Sequence, residues 1–339
     1  MAGVRQHYLP QFLQRSFAND AGLTWLFRKG ERSLQTSTRN IGVERTFYTK
    51  PGDTAVDDAI TIAEENLSRV VRELRTSAAG RVDNEGLPRL FAHLEVRTRH
   101  LRESFLQSSV TLYRKTVPIL NDANKLGRLL GDHIPRNPEK ISQMMRDELQ
   151  QRGLPTSSSG ALVKEMTDRL PQFLQELGPE LEQASTNILG ALPGILRSSI
   201  KDAHNKALGK TIAPEIRVQS YEKLSFRTED VGEGNMILGD CGTLFHVKGP
   251  KPFKTITEKD DIILAAILPI APTRLLIGAN KDYQAKPTEV RTAIARCSLE
   301  FFIASESSDE NAQIAKLIGL DAAPLTDREI QTIVDEASS

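Results

Sequence analysis

Seven side chains in this sequence have types suited to chemistry on a charged substrate: His7, Glu44, Glu64, Glu95, Arg97, Arg102 and Asp240. An imidazole with two or three carboxylates can hold a divalent cation such as Mg²⁺ or Mn²⁺. The ion lowers the pKa of bound water and neutralises charge on a phosphodiester. His7, Glu64 and Asp240 are the candidate catalytic groups and metal ligands. Arg97 and Arg102 are the candidate substrate contacts, because guanidinium forks grip phosphate oxygens in pairs. The set therefore points to a metal-dependent phosphodiesterase or nuclease-like hydrolase. No two of its ligands stand at a diagnostic metal spacing.

Each residue also has a plainer use. His7 can buttress the first helix through a hydrogen bond. Glu44 and Glu64 can face water or join ion pairs on an exposed face. Asp240 precedes Cys241-Gly242 and can bond the backbone of its own turn. On that reading the chain is a non-catalytic binding or regulatory protein. Its helical middle recognises a protein partner, and the motif residues lock the ends together.

Nucleic acid enters through one stretch. Arg89, Arg97, Arg99, Arg102, Arg114, Lys115, Lys125 and Arg128 outnumber Glu95, Glu103 and Asp122. That is a local basic patch, although charge runs of this kind also form solvated, salt-bridged helices. Globally the 44 basic residues balance the 44 acidic ones, so no net field steers the chain to nucleic acid or an anionic membrane.

Other classes are disfavoured. There is no Gly-rich loop ending in Gly-Lys-Ser/Thr, no Gly-x-Gly-x-x-Gly, no Cys-x-x-Cys, no His-Glu-x-x-His and no Gly-x-Ser-x-Gly. With only Cys241 and Cys297, the chain is not a disulfide scaffold and suits a reducing cytoplasm. No apolar run is long enough to cross a membrane.

Both chain ends carry the elements that must position these residues. Tyr8, Leu9, Phe12, Leu13 and Phe17 give a short helix an apolar face, and Pro10 restricts the backbone before it. Leu23 to Arg28 and Arg32 to Thr38 flank Lys29-Gly30-Glu31 as a hairpin, followed by an extended segment or turn over Ile41 to Thr49. From Val56 the apolar period changes to three and four, predicting a helix. A second helix runs from Leu87 towards Tyr113, with Pro118 beyond it. Helical material continues to Leu208, with Thr156 to Gly160 as its most linker-like piece.

Strand signals return at Ile216–Ser220, Leu224–Thr228, Met236–Leu238, Thr243–Val247, Ile262–Leu268, Arg274–Ile277 and Ser298–Ala304. Val290 to Cys297 reads as helical, and helices over Asp309–Leu320 and Thr326–Ala337 end the chain. An isolated hairpin is marginal in water, so the two ends are expected to share a sheet. The fold class is α+β, a sheet built from both chain ends with a large helical insertion. Its parts are 1–55 (motif and hairpin), 56–212 (insertion), 213–305 (completing strands) and 306–339 (terminal helices).

His7-Tyr8-Leu9-Pro10 with Phe12-Leu13 and Phe17, then Phe47-Tyr48, an acidic helix beginning at Glu64, and Arg97-Thr98 with Arg102, together resemble the domain-of-unknown-function 4238 family of bacteria. Leu238-Gly239-Asp240 and Leu268-Pro269-Ile270-Ala271-Pro272 resemble its later segments. The resemblance covers almost the whole chain, and its amino-terminal block is the most specific part. Cys241-Gly242 stands where the family commonly has Asn-Pro, and the family's later Asn before the last strand has no match here. The resemblance implies an architecture and a residue set, and no reaction; a bacterial stress or phage-defence role suits the enzyme and the binding protein equally.

Overall fold

A computed structural model describes residues 5–49, 54–122, 125–126, 138–176, 178–232, 236–280 and 282–322. The elements run β1 (Arg5–His7), α1 (Gln11–Gln14), β2 (Leu23–Arg28), β3 (Leu34–Ser37), β4 (Val43–Arg45), α2 (Ala55–Thr76), β5 (Gly80–Val82), α3 (Gly86–Val96) and α4 (Arg99–Leu120). Then come α5 (Pro138–Gln151), α6 (Ser159–Glu176), α7 (Gly178–Lys210), α8 (Glu215–Tyr221), β6 (Ser225–Asp230), β7 (Leu238–Gly239), β8 (Leu244–Val247) and β9 (Phe253–Lys254). The last are β10 (Ile263–Ala271), β11 (Arg274–Ala279), α9 (Pro287–Cys297), β12 (Phe301–Ala304) and α10 (Asp309–Ala315). The fold is α+β.

Two compact units divide the chain. The first takes its described residues from 1–107 and 197–324 and contains all the strands found among the described residues. The helices α2 and α3, expected as part of an insertion over 56–212, belong to this unit. The second unit takes its described residues from 108–196 and is helical among them. Val117, Leu149, Leu174 and Leu192 are buried in it, and Asn121 donates to the Ser185 hydroxyl at 2.8 Å. The expected helix over Thr326–Ala337 lies outside the described residues.

In the first unit the hairpin β2–β3 joins the carboxy-terminal β12 and β7 in a four-stranded sheet ordered β3-β2-β12-β7. Sequence-distant ends thus share a sheet. The remaining strands form a six-stranded sheet, β5-β6-β11-β10-β8-β9, and a two-stranded β1-β4 ribbon. Strands β10 and β12 read as unbroken apolar runs because both their faces are covered. Ala266, Leu268 and Ile270 enter one core with Phe301 and Ile303, while Ala265 and Ile267 enter the other with Phe302. Successive side chains point to opposite faces, so the alternation splits each strand between the two cores.

The amino terminus is pinned into the first core: Leu9, Leu13 and Phe17 are wholly buried there beside Leu268 and Phe301. Arg75 of α2 adds polar stitching, donating to the carbonyls of Ile270 at 2.6 Å and Phe12 at 2.8 Å.

Two expectations change. Ile216–Ser220 is not a strand but lies within the helix α8. Pro214, at φ −58°, presets the turn, Glu215 sits in the first turn, and the buried pair Val218 and Tyr221 is spaced by three. The single helix expected from Leu87 to Tyr113 breaks at Arg97-Thr98, separating α3 from α4, and Pro118 lies inside α4. Among the described residues, no helix is long and apolar enough to cross a membrane.

Candidate functional site

The amino-terminal motif is built on β1, whose Gln6 and His7 pair with Glu44 and Val43 of β4. The Gln6 side chain closes the ribbon, accepting from Tyr48 N at 2.7 Å and donating to the Thr49 hydroxyl at 3.2 Å. Gly42 then brings the two segments into contact, its carbonyl accepting from Tyr8 N at 2.8 Å. Its φ is +59°, and a Cβ there would lie 2.7 Å from the Leu9 Cβ. Only glycine fits both conditions.

His7 has a defined protonation state. Arg15 can only donate, so the Gln11 carbonyl oxygen, 2.9 Å from it, is the acceptor and the Gln11 amide nitrogen faces His7 Nε2 at 2.9 Å. His7 Nε2 is therefore the bare nitrogen, and Nδ1 donates to the Ile41 carbonyl at 3.1 Å. Burial first, then the charges of Arg97, Arg5 and Arg15, hold the imidazole pKa below its ordinary value, against the raising effect of the Ile41 bond. The lone pair that a metal would need is occupied by an amide N–H.

Arg97 is the centre of the network. Only 2% exposed, it donates through one terminal nitrogen to the His7 carbonyl and through Nε to the Tyr48 hydroxyl at 3.2 Å, and it pairs with Glu64 of α2. One turn earlier, His93 Nε2 faces the Arg97 guanidinium at 3.4 Å, while His93 Nδ1 donates to the Ile212 carbonyl at 3.1 Å. Burial pushes the His93 pKa down to about 4, so a neutral acceptor sits beside the cation.

Arg102 stacks its guanidinium 3.7 Å from the Phe47 ring centroid and donates to His204 Nδ1 at 2.6 Å and Asn205 Oδ1 at 2.7 Å. His204 Nε2 donates to the Val96 carbonyl, the last of α3, which ties off the break before α4. Burial pushes the Arg102 pKa down to about 10. Burial, with the nearby Arg102 charge, pushes that of His204 down to about 4.

Asp240 is remote in role. Its carboxylate accepts from the backbone N–H groups of Leu299 at 2.9 Å, Glu300 at 2.7 Å and Phe301 at 3.2 Å, holding the entry to β12. Burial pushes its pKa up to about 6, against the lowering effect of those three donors.

The structure thus brings His7, Arg97 and Glu64 into one network and leaves Asp240 in another. Among the described residues, no three His, Cys, Asp or Glu side chains converge on a common point that could hold a metal ion. His7 and Asp240 spend their polar atoms on separate protein partners, and Glu64 turns one carboxylate oxygen to Arg97. Of the expected basic patch, Arg97 and Arg102 are buried and Arg99 pairs with Glu300 at 2.9 Å, while Arg89, Arg114 and Lys125 are exposed, Arg89 lying 3.7 Å from Glu215 and Lys125 3.7 Å from Asp122. Arg128 lies outside the described residues. Glu44, 42% exposed, sits 4.0 Å from Arg99.

Sequence reasoning missed Gln6, Gln11, His204 and also Gln14, whose amide donates to the Leu9 and Ile41 carbonyls at 2.7 and 3.1 Å. His93 and Arg97, four apart across the end of α3, were a local signal. Glu95 is wholly engaged: it accepts from Tyr221 Oη, Thr257 N and Thr257 Oγ1, and Arg217 lies 3.6 Å away.

No curated protein and no solved structure matches the chain. The family described as "Protein of unknown function (DUF4238)" matches over residues 5–315, so the motif network just described sits within a chain that belongs to that family.

Proposed function

We propose that the chain is a non-catalytic binding protein whose motif residues build a rigid scaffold. One observation carries this reading. His7, Arg97, Arg102 and Asp240 direct their polar atoms to partners in their own chain, with Arg97 2%, Asp240 4% and Arg102 8% exposed, and Glu64, its side chain 23% exposed, turns one carboxylate oxygen to Arg97. A catalytic group must reach a substrate, and a metal ligand must offer a lone pair. The arginines that would clamp a phosphodiester are instead spent on carbonyls, a carboxylate and a histidine.

The partner in this reading is another protein, met by the helical second unit. Its Tyr113, Met144, Ile188 and Ile195 are 41%, 61%, 47% and 59% exposed, large apolar side chains that a contact would cover. A stress or phage-defence role for such a binding protein is compatible with this arrangement.

Calorimetric titration of the full chain with Mg²⁺ and Mn²⁺, beside cleavage assays on DNA and RNA, tests the reading. The expected result is no saturable metal heat and no cleavage, with His7→Ala lowering the melting temperature. Metal-dependent cleavage that His7→Ala abolishes while the melting temperature stays unchanged would overturn it and restore the phosphodiesterase.

A further inference from the structure

Away from the motif network, a cavity of about 460 Å³ opens in the first unit beside α8. Small-ligand sites typically occupy about 300–1,000 Å³. Arg217, Lys223 and Lys259 contribute cations to its wall, Leu224 and Ile263 contribute apolar surface, and Thr257 contributes a hydroxyl.

One side of this cavity rests on a buried polar foundation. Glu95, 1% exposed, accepts from Thr257 N at 2.7 Å, Thr257 Oγ1 at 3.0 Å and Tyr221 Oη at 2.7 Å. Arg217 Nε lies 3.6 Å from the same carboxylate, and a terminal nitrogen of Arg217 donates to Thr257 Oγ1. These contacts hold two of the three guanidinium nitrogens while 26% of the side chain remains exposed. A planar donor held in one orientation loses little entropy on meeting an oxyanion.

Charge on the wall is unequally committed. Asp261 is held by Lys254 at 2.9 and 3.2 Å and also accepts from Glu258 N at 2.8 Å. The Glu258 carboxylate lies 3.4 Å from the same lysine. Arg217 has Glu95. Lys223 and Lys259 form no ion pair among the described residues. Two uncommitted ammonium groups beside an oriented guanidinium match a dianion better than a single carboxylate.

We propose that this cavity binds a small organic phosphate monoester. The phosphate, close to doubly charged at neutral pH, lies against Lys223, Lys259 and the remaining guanidinium nitrogen of Arg217, and the organic body lies on Leu224 and Ile263. The site is independent of the motif network and of the partner reading.

Calorimetry on the full chain tests it with three probes, adenosine monophosphate, ribose phosphate and inorganic phosphate. The double variant Lys223→Ala/Lys259→Ala is measured in parallel; both lysines are exposed, so its melting temperature is expected to match the wild type. One ester binds with unit stoichiometry, more tightly than inorganic phosphate, and the double variant weakens it by about tenfold or more. Leu224→Ala weakens the ester while leaving inorganic phosphate unchanged. Absence of saturation by either ester at millimolar concentration, equal binding of ester and inorganic phosphate, or an unchanged affinity in the double variant would each overturn the proposal.

Discussion

Tyr48 and Arg97 satisfy each other in both directions: the Tyr48 hydroxyl donates to the Arg97 carbonyl at 2.8 Å and accepts from Arg97 Nε at 3.2 Å. One phenol therefore serves the first residue after α3 and orients the guanidinium that reaches His7 and Glu64. Tyr48 is 2% exposed, so no water can take over either bond.

Tyr48→Phe keeps the ring and its edge contact with Phe47 but removes both bonds. Leaving a buried carbonyl and a buried charged N–H unpaired costs about 1–3 kcal/mol each in full, less whatever relaxation recovers. Urea unfolding is expected to show a lower midpoint with the slope unchanged. An unchanged midpoint would mean that Arg97 is held without the phenol.

Gly42 gives a sharper case. Alanine at φ +59° costs about 1–2 kcal/mol from backbone strain. The added Cβ also lies 2.7 Å from the Leu9 Cβ, which is itself wholly buried and cannot retreat. Gly22, at φ +72°, meets nothing within 4 Å, so Gly22→Ala isolates the strain. Gly42→Ala is expected to destabilise clearly more than Gly22→Ala in thermal unfolding. Equal losses would show that the β1–β4 crossing relaxes freely.

Legibility in the sequence followed the range of the interactions. The helix α2 and the strands β10 and β11 were readable because their signals are periodic and local. The helix α8 was misread because the β-branched Ile216 and Val218 look strand-like, while Tyr221, whose burial fixes the helical face, meets Glu95 across 126 residues. The motif residues were readable as a set, but not their roles. What distinguishes a ligand from a clasp is the partner, and Arg102 finds its partners 102 and 103 residues away. The Gln11 amide that occupies His7 is only four residues distant, yet its direction depends on Arg15. The turn role weighed for Asp240 was half of the answer: its carboxylate does cap backbone N–H groups, but those of β12 rather than of its own turn.

Three buried histidines set the acid limit of the fold. Burial holds His93 and His204 near about 4 and His100 near about 3, all below the ordinary 6.5. The unfolded chain therefore binds protons that the folded one refuses once the pH drops below 6.5, so their neutral burial is fully tolerated above that pH and penalised as it falls towards 4. At pH 5 each histidine costs about 2 kcal/mol by this linkage. Stability is expected to rise steeply from pH 4 to pH 6.5 and flatten above. His204→Gln, which can still accept from Arg102, should lower the slope by up to about 1.4 kcal/mol per pH unit, one proton's worth, in denaturant titrations across that window. A profile unaltered by the substitution would place the acid sensitivity elsewhere.

Asp240 acts with the opposite sign. Its folded pKa is raised to about 6 from 3.8, so the folded state holds a proton that the unfolded state has released, and this contribution to stability is lost as pH rises through that interval. In the wild type it partly offsets the histidine slope. Asp240→Asn removes the titration and also offers one carbonyl where two oxygens served three N–H donors, so at neutral pH the variant is expected to lose about 1–3 kcal/mol. Its stability should climb more steeply between pH 4 and pH 6 than that of the wild type, because the opposing contribution of Asp240 is gone. Melting temperatures of the two proteins measured across the same buffers give the comparison directly. Parallel curves would mean that the three backbone donors hold Asp240 ionised throughout, and that its capping of β12 carries no proton.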